Sequence, residues 1–180
     1  GQEARRPDEV IAYRAGLAGE WADTVIDEWN PTANYASAGE LVLRGGLDNL
    51  ASPLIRVQIA PPEGAQVERA TLSLYGLPQT NTNPLSFGAY PLLLDWAPQE
   101  ASWQWRRQDR AWAAPGARAP GVDRAAMASD ALRSSCALAG RWYLLDVTDQ
   151  LRDWVRHPES NHGLLLEGQL DLAKELRFAS

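Results

Sequence analysis

Residues 95–121 concentrate Trp96, Trp103, Trp105 and Trp112 together with Arg106, Arg107, Arg110 and Arg118. A flat indole can cover the apolar face of a pyranose ring while neighbouring polar groups hold its hydroxyls, the mixed lining of a small-molecule site. A guanidinium pairs with a carboxylate through two parallel hydrogen bonds, which suits an acidic sugar. Trp105 and Trp112, with Arg106 and Arg107 nearby, are therefore the candidate carbohydrate-binding residues. The same composition has a ligand-free explanation, in which tryptophans fill the ends of the fold and arginines stack on them.

Other chemistry is poorly represented. Asp23, Asp27 and Glu28 offer carboxylate oxygens to a hard cation, but their spacing is not that of an EF-hand loop. Turn capping and surface charge account for them more simply, so no cofactor is expected and a structural calcium ion there is the one exception the residues allow. His157 and His162 have no cysteine or second histidine at ligand spacing, and Ser134, Ser135 and Cys136 have no nearby base or nucleophile turn. No pair of carboxylates stands out for acid–base work. The expectation is a protein that is not an enzyme.

The totals narrow the partners. A chain of 180 residues is one domain by default. Net charge is −6, and Lys174 is the only lysine among 17 basic residues. An acidic surface argues against nucleic acid or an anionic membrane as the main partner. The single cysteine forms no internal disulfide framework. No run of about 18 apolar residues is present, so no membrane span is expected. A chain beginning Gly-Gln-Glu-Ala reads as already processed, and the expectation is a mature exported chain after signal-peptide removal.

The elements that would position these residues are short strands. Glu40–Arg44, Leu54–Ile59, Val67–Tyr75, Leu85–Tyr90, Trp142–Val147, Leu164–Glu167 and Leu176–Ala179 alternate between apolar and polar positions and are separated by Gly, Pro and Asn. That pattern predicts an all-β antiparallel sandwich or barrel. Ile55, Val57, Leu72, Leu74, Phe87, Leu144, Leu165 and Phe178 are the expected core. One helix is predicted near residues 148–157, with Thr148 as N-cap, Leu151, Trp154 and Val155 as its apolar stripe, and Pro158 ending it. The Ala-rich stretch Asp123–Leu132 offers a second helix of poor periodicity. A structureless run as long as 95–121 is expected to be functional or pinned by its own side chains.

Nine segments occur in an order that resembles one family. They include Ala22-Asp23-Thr24-Val25-Ile26-Asp27, Trp29-Asn30-Pro31-Thr32-Ala33-Asn34-Tyr35, Ala65-Gln66-Val67-Glu68-Arg69-Ala70-Thr71-Leu72-Ser73-Leu74-Tyr75, Trp142-Tyr143-Leu144-Leu145-Asp146-Val147-Thr148, Asn161-His162-Gly163-Leu164-Leu165-Leu166 and Arg177-Phe178-Ala179-Ser180. The chain is similar across residues 10–180 to the DNRLRE (disaggregatase-related) domain, which overlaps a group of carbohydrate-binding modules. The resemblance implies a jelly-roll-like β-sandwich on exported cell-surface or polysaccharide-acting proteins, with no catalytic residues. Ala36 replaces the glycine usual after Asn34-Tyr35, and Gln58 stands where an aspartate is common. The family usually continues past its Arg-Phe-Ala-Ser segment into one more strand, so residues 10–180 are expected to form a single module lacking a final C-terminal strand.

Residues 1–9 read as a flexible polar arm. Within Val10–Leu17, residues Ile11, Tyr13, Ala15 and Leu17 share one face at period two, as a half-buried strand requires. A sheet short of one strand exposes an edge, and an edge recruits a strand. Val10, Ile11, Tyr13, Ala15 and Leu17 are therefore the candidate donor strand; the competing reading pairs residues 10–17 within their own domain and leaves only residues 1–9 as the arm. The resulting expectation is a non-catalytic, extracellular or cell-surface structural subunit that polymerises with copies of itself into a filament by strand donation. The alternative is a carbohydrate-binding module recognising an acidic or neutral polysaccharide.

Overall fold

The computed structural model describes residues 9–15, 20–79, 81–134, 140–169 and 173–180. Eleven strands and one helix occur among them: β1 (Trp21–Asp27), β2 (Glu40–Gly45), β3 (Ala51–Val57), β4 (Thr71–Tyr75), β5 (Leu85–Pro91), β6 (Trp105–Arg107), β7 (Arg110–Ala111), β8 (Asp130–Ser134), β9 (Trp142–Asp146), α1 (Thr148–Arg156), β10 (Leu164–Gly168) and β11 (Lys174–Ala179). The larger sheet runs β11-β2-β3-β10-β5-β8, with β1 added to β3. All of its pairings are antiparallel. β4 and β9 form a second antiparallel pair, tied to β11 through a bridge between Gly76 and Phe178. The sheets curl into a half-barrel, the all-β sandwich expected from the alternation.

Two hydrophobic clusters lie on opposite faces of the central strands. The first is the sandwich interior, where Leu72, Leu74, Tyr143 and Leu145 from the β4–β9 pair meet Phe87, Ala89, Leu164, Leu166 and Phe178. Its aromatic centre is Tyr143, whose ring packs edge-on against Phe178 at 5.6 Å and lies 6.0 Å from Phe87. The second cluster covers the outer face of β3 and β10, where Leu54 and Leu165 contact Trp96, Trp103 and Trp112. Residues 51–55 are consequently buried on both faces. The Trp-rich stretch is thus a covering layer for a sheet whose outer face would otherwise be wet.

Several expectations need correction. Leu144 is 54 % exposed, and Tyr143 and Leu145 point inward instead. Trp142-Tyr143-Leu144-Leu145 is apolar at both parities, so alternation leaves the face open, and the aromatic contacts of Tyr143 decide it. Val57 sits at the rim of the first cluster, half-buried. The Ala-rich stretch is a loop followed by β8, held by Asp123, whose carboxylate accepts the amides of Ala113, Ala114 and Ala119 at 2.7–3.1 Å. α1 forms where expected, but Thr148 is its first helical residue and not its cap. The Thr148 hydroxyl accepts the Ala70 amide at 2.9 Å, while Asp146 Oδ1 accepts the Thr148 amide at 2.9 Å.

Candidate assembly site

Trp105 and Trp112 face in different directions. Trp105 is 39 % exposed on β6, whereas Trp112 is 4 % exposed in the second cluster and donates its indole N–H to Ser102 O at 3.0 Å. A buried indole offers no face to a sugar, so Trp112 is removed from the candidate carbohydrate surface. Arg106 and Arg107 both pair with the Asp95 carboxylate, and Arg106 also donates to Asp95 O at 2.8 Å. A uronate would have to displace Asp95 from both guanidiniums. Behind this pair, Arg56 stacks over Trp96 at 5.0 Å, and Trp96 Nε1 donates to His162 O at 2.7 Å. Burial pushes the His162 imidazole below its ordinary pKa, against the opposing pull of Asp95.

The three carboxylates near β1 are occupied by protein donors. Asp23 accepts from Trp21 Nε1 and Ser180 Oγ, Asp27 from the Trp29 amide and Arg44, and Glu28 from the Leu50 amide. Among the described residues no group of three or more His, Cys, Asp or Glu is placed to hold a metal ion. Ser135 and Cys136 lie outside the described residues.

The candidate donor segment is not a strand among residues 10–15, and Leu17 lies outside the described residues. Val10 is 90 % and Ile11 45 % exposed, and Ala15 is half-buried. Tyr13 is the one described residue of the segment with a hydrogen bond to the domain: its hydroxyl accepts the Ala60 amide at 3.1 Å, beyond the end of β3. Among the described residues, 10–15 join no strand ladder.

Sequence reasoning missed a strand edge with no partner among the described residues. Gly76 N donates to Arg141 O at 2.8 Å and Val147 N to Ala70 O at 3.0 Å. Odd-numbered residues of β9 therefore turn their backbone groups toward β4, and Trp142, Leu144 and Asp146 turn theirs to the opposite edge. Among the described residues β9 has no second partner strand. At one end of this edge, Asp130 Oδ2 accepts the Asp146 amide at 2.8 Å. At the other, Trp142 is 60 % exposed and packs edge-on against Tyr75 at 5.1 Å. Where β8 begins and β9 ends, a groove of about 870 Å³ opens, lined by Glu68, Arg69, Asp130, Asp146, Asp149 and Arg152 among others. The Thr148 side chain and amide hold the Asp146 carboxyl below the usual carboxylate range, so it is charged at neutral pH.

Among the described residues no helix is long and apolar enough to cross a membrane. No protein-family model matches the chain. A search of curated proteins likewise finds no match.

Proposed function

We propose that the chain is a non-catalytic structural subunit of an extracellular or cell-surface polymer, joined to copies of itself by β-strand addition, on a module of the DNRLRE type. The observation that carries this reading is the coexistence, among the described residues, of a segment at 10–15 that joins no strand ladder and exposes Val10 and Ile11, with an edge of β9 that has no partner strand. Each half is a liability alone, since exposed apolar side chains and open edges both drive association. Main-chain ladders supply affinity in strand addition, and alternate side chains supply specificity. A contact between different surfaces of two identical subunits is head-to-tail, and it propagates into a filament unless the rotation closes a ring. Light scattering and electron microscopy of the whole chain over rising concentration test the reading. Growth into linear assemblies is the expected result, and a monodisperse monomer at every concentration overturns it.

A second reading, a carbohydrate-binding module, is favoured by one observation: Trp105 presents its indole to solvent beside two arginines. Affinity electrophoresis against acidic and neutral glycans, with Trp105→Ala as the control, tests it. Retardation that the substitution abolishes would support this reading.

A further inference from the structure

We infer that the acceptor for residues 10–15 of a second copy is the outer edge of β9, with the incoming strand parallel to β9 and Arg14 against Asp146. This rests on the assembly reading above and adds the place, the direction and the register. The free backbone groups on that edge belong to Trp142 and Leu144, the Asp146 amide being held by Asp130. A strand laid there presents one face to the sandwich interior and the other to solvent. Ile11, Tyr13 and Ala15 then extend the interior row of Tyr143 and Leu145. Val10, Ala12 and Arg14 extend the outer row of Trp142, Leu144 and Asp146.

Direction follows from chemistry. With the strands parallel, Val10 lies beside Trp142, Ala12 beside Leu144 and Arg14 beside Asp146, so apolar meets apolar and cation meets anion. With the strands antiparallel over the same span, Val10 lies against the Asp146 carboxylate. A slip of one residue turns Ile11 and Tyr13 out to water. The groove at the Asp146 end also contains Asp130, Asp149 and Glu68. Of its two arginines, Arg152 is committed to Asp149 and to the carbonyls of Val67 and Glu68. In the subunit itself, residues 10–15 have to release the Tyr13–Ala60 hydrogen bond and the packing that half-buries Tyr13 and Ala15 to become available. Among the described residues β1 likewise has a single partner strand; its Asp27 is ion-paired with Arg44, while Asp23 accepts from the neutral donors Trp21 and Ser180 as Asp146 does from Thr148, so the cross-link below separates the two edges.

Disulfide trapping in the whole chain tests the register. In a Cys136→Ser background, Ala12→Cys combined with Leu144→Cys should give, on mild oxidation, a ladder of covalent dimers, trimers and longer species. Ala12→Cys combined with Asp23→Cys, which reports addition to β1, should give none. A charge swap provides the second measurement. Arg14→Asp and Asp146→Arg should each raise the concentration for assembly at least tenfold, and the double variant should recover most of that loss. Circular dichroism of each variant checks that the fold survives. Assembly that persists while the β9 pair fails to cross-link, or while the β1 pair cross-links instead, overturns the acceptor assignment and leaves the assembly reading standing. Absence of any assembly in the unmodified chain overturns both.

Discussion

Asp130 Oδ2 accepts the Asp146 amide at 2.8 Å, so a side chain and not a strand occupies that end of the β9 edge. The same Asp130 caps its own strand through Oδ1, which accepts the Ala131 amide at 2.8 Å. One carboxylate thereby holds the first residue of β8 against the last residue of β9, at the corner where the two sheets come together. Blunting an edge with an inward charge is a known way to limit unwanted pairing. Here it limits the open stretch to Trp142 and Leu144.

Removing that carboxylate should matter in two ways. Asp130→Ala leaves the Asp146 amide to water and should cost about 1 kcal/mol, the net worth of one such hydrogen bond. It also lengthens the open edge, so association should increase. A denaturant midpoint lowered at constant slope, together with greater light scattering, is the expected pair of results. An unchanged midpoint with unchanged scattering would show that the contact is idle.

The two parities of β9 separate cleanly. Leu145→Ala should cost about 2–5 kcal/mol, because it leaves a cavity in the sandwich interior. Leu144→Ala should stay within about 0.5 kcal/mol in the isolated subunit, as surface substitutions do. Equal losses from the two would place both side chains in the core and contradict the register of β9.

The two tryptophans first read as one surface should behave as opposites. Trp112→Ala should cost about 3–5 kcal/mol, since its indole is packed in the second cluster. Trp105→Ala should leave stability nearly unchanged. Thermal unfolding of both variants distinguishes a covering layer from a binding face.

Much of this fold is legible in the sequence wherever a strand has one wet face. Leu85, Phe87 and Ala89 alternate with half-buried Ser86 and Tyr90, although Gly88 between them is itself buried. Thr71–Tyr75 alternates without exception, and its inward residues are buried. Alternation fails where both faces are covered or both are apolar. Ala51–Ile55 is buried throughout because the Trp-rich layer closes its outer face. That layer was not legible because its contacts span distant residues, such as the donation from Trp96 to His162 O. β8 was hidden by the alanines of the stretch leading into it, because alanine is the best helix former and is depleted in strands. The free edge of β9 was hidden for a different reason: pairing partners are a property of topology, which a strand's own residues do not encode.

Glu175 gives the acid limb of the stability curve a sign. Burial pushes its carboxyl up, but hydrogen bonds from Arg177 and Arg44 outweigh that and hold it below its ordinary value of 4.5. Arg44 Nε lies 3.1 Å from Glu175 Oε2, and the same guanidinium reaches Asp27. A carboxyl with a depressed folded pKa stabilises above its unfolded value and loses that contribution as pH falls through the folded one. Stability should therefore drop below about pH 4.5, and Glu175→Gln should flatten that drop while lowering stability at neutral pH. Denaturant unfolding of both proteins between pH 2 and pH 7 measures it, and parallel curves would contradict the assignment.

Gly163 is the position where a single methyl group should be least tolerated. Its φ of +87° lies in the left-handed region, and a Cβ there would stand 2.3 Å from Ile55 O and 3.0 Å from the Arg56 Cα. Ile55 is the residue that pairs with Leu164 at the start of β10, so the clash falls on the ladder that joins β10 to β3. Gly163 also accepts the Leu92 amide through its carbonyl at 2.9 Å, which fixes the loop leading into the second cluster. The left-handed backbone alone should cost Gly163→Ala about 1–2 kcal/mol. Backbone atoms cannot yield as a flexible side chain can, so the total should exceed that figure. Gly64 provides the control: its φ is +76°, but a Cβ there meets nothing within 4 Å. Gly64→Ala should show the conformational cost and no more. Chemical denaturation of the two variants should therefore give a clearly larger loss at Gly163. Equal losses would mean that β10 can shift away from β3, and the packing of both clusters against that pair would then have to be looser than the buried contacts of Leu54, Ile55, Leu164 and Leu165 require.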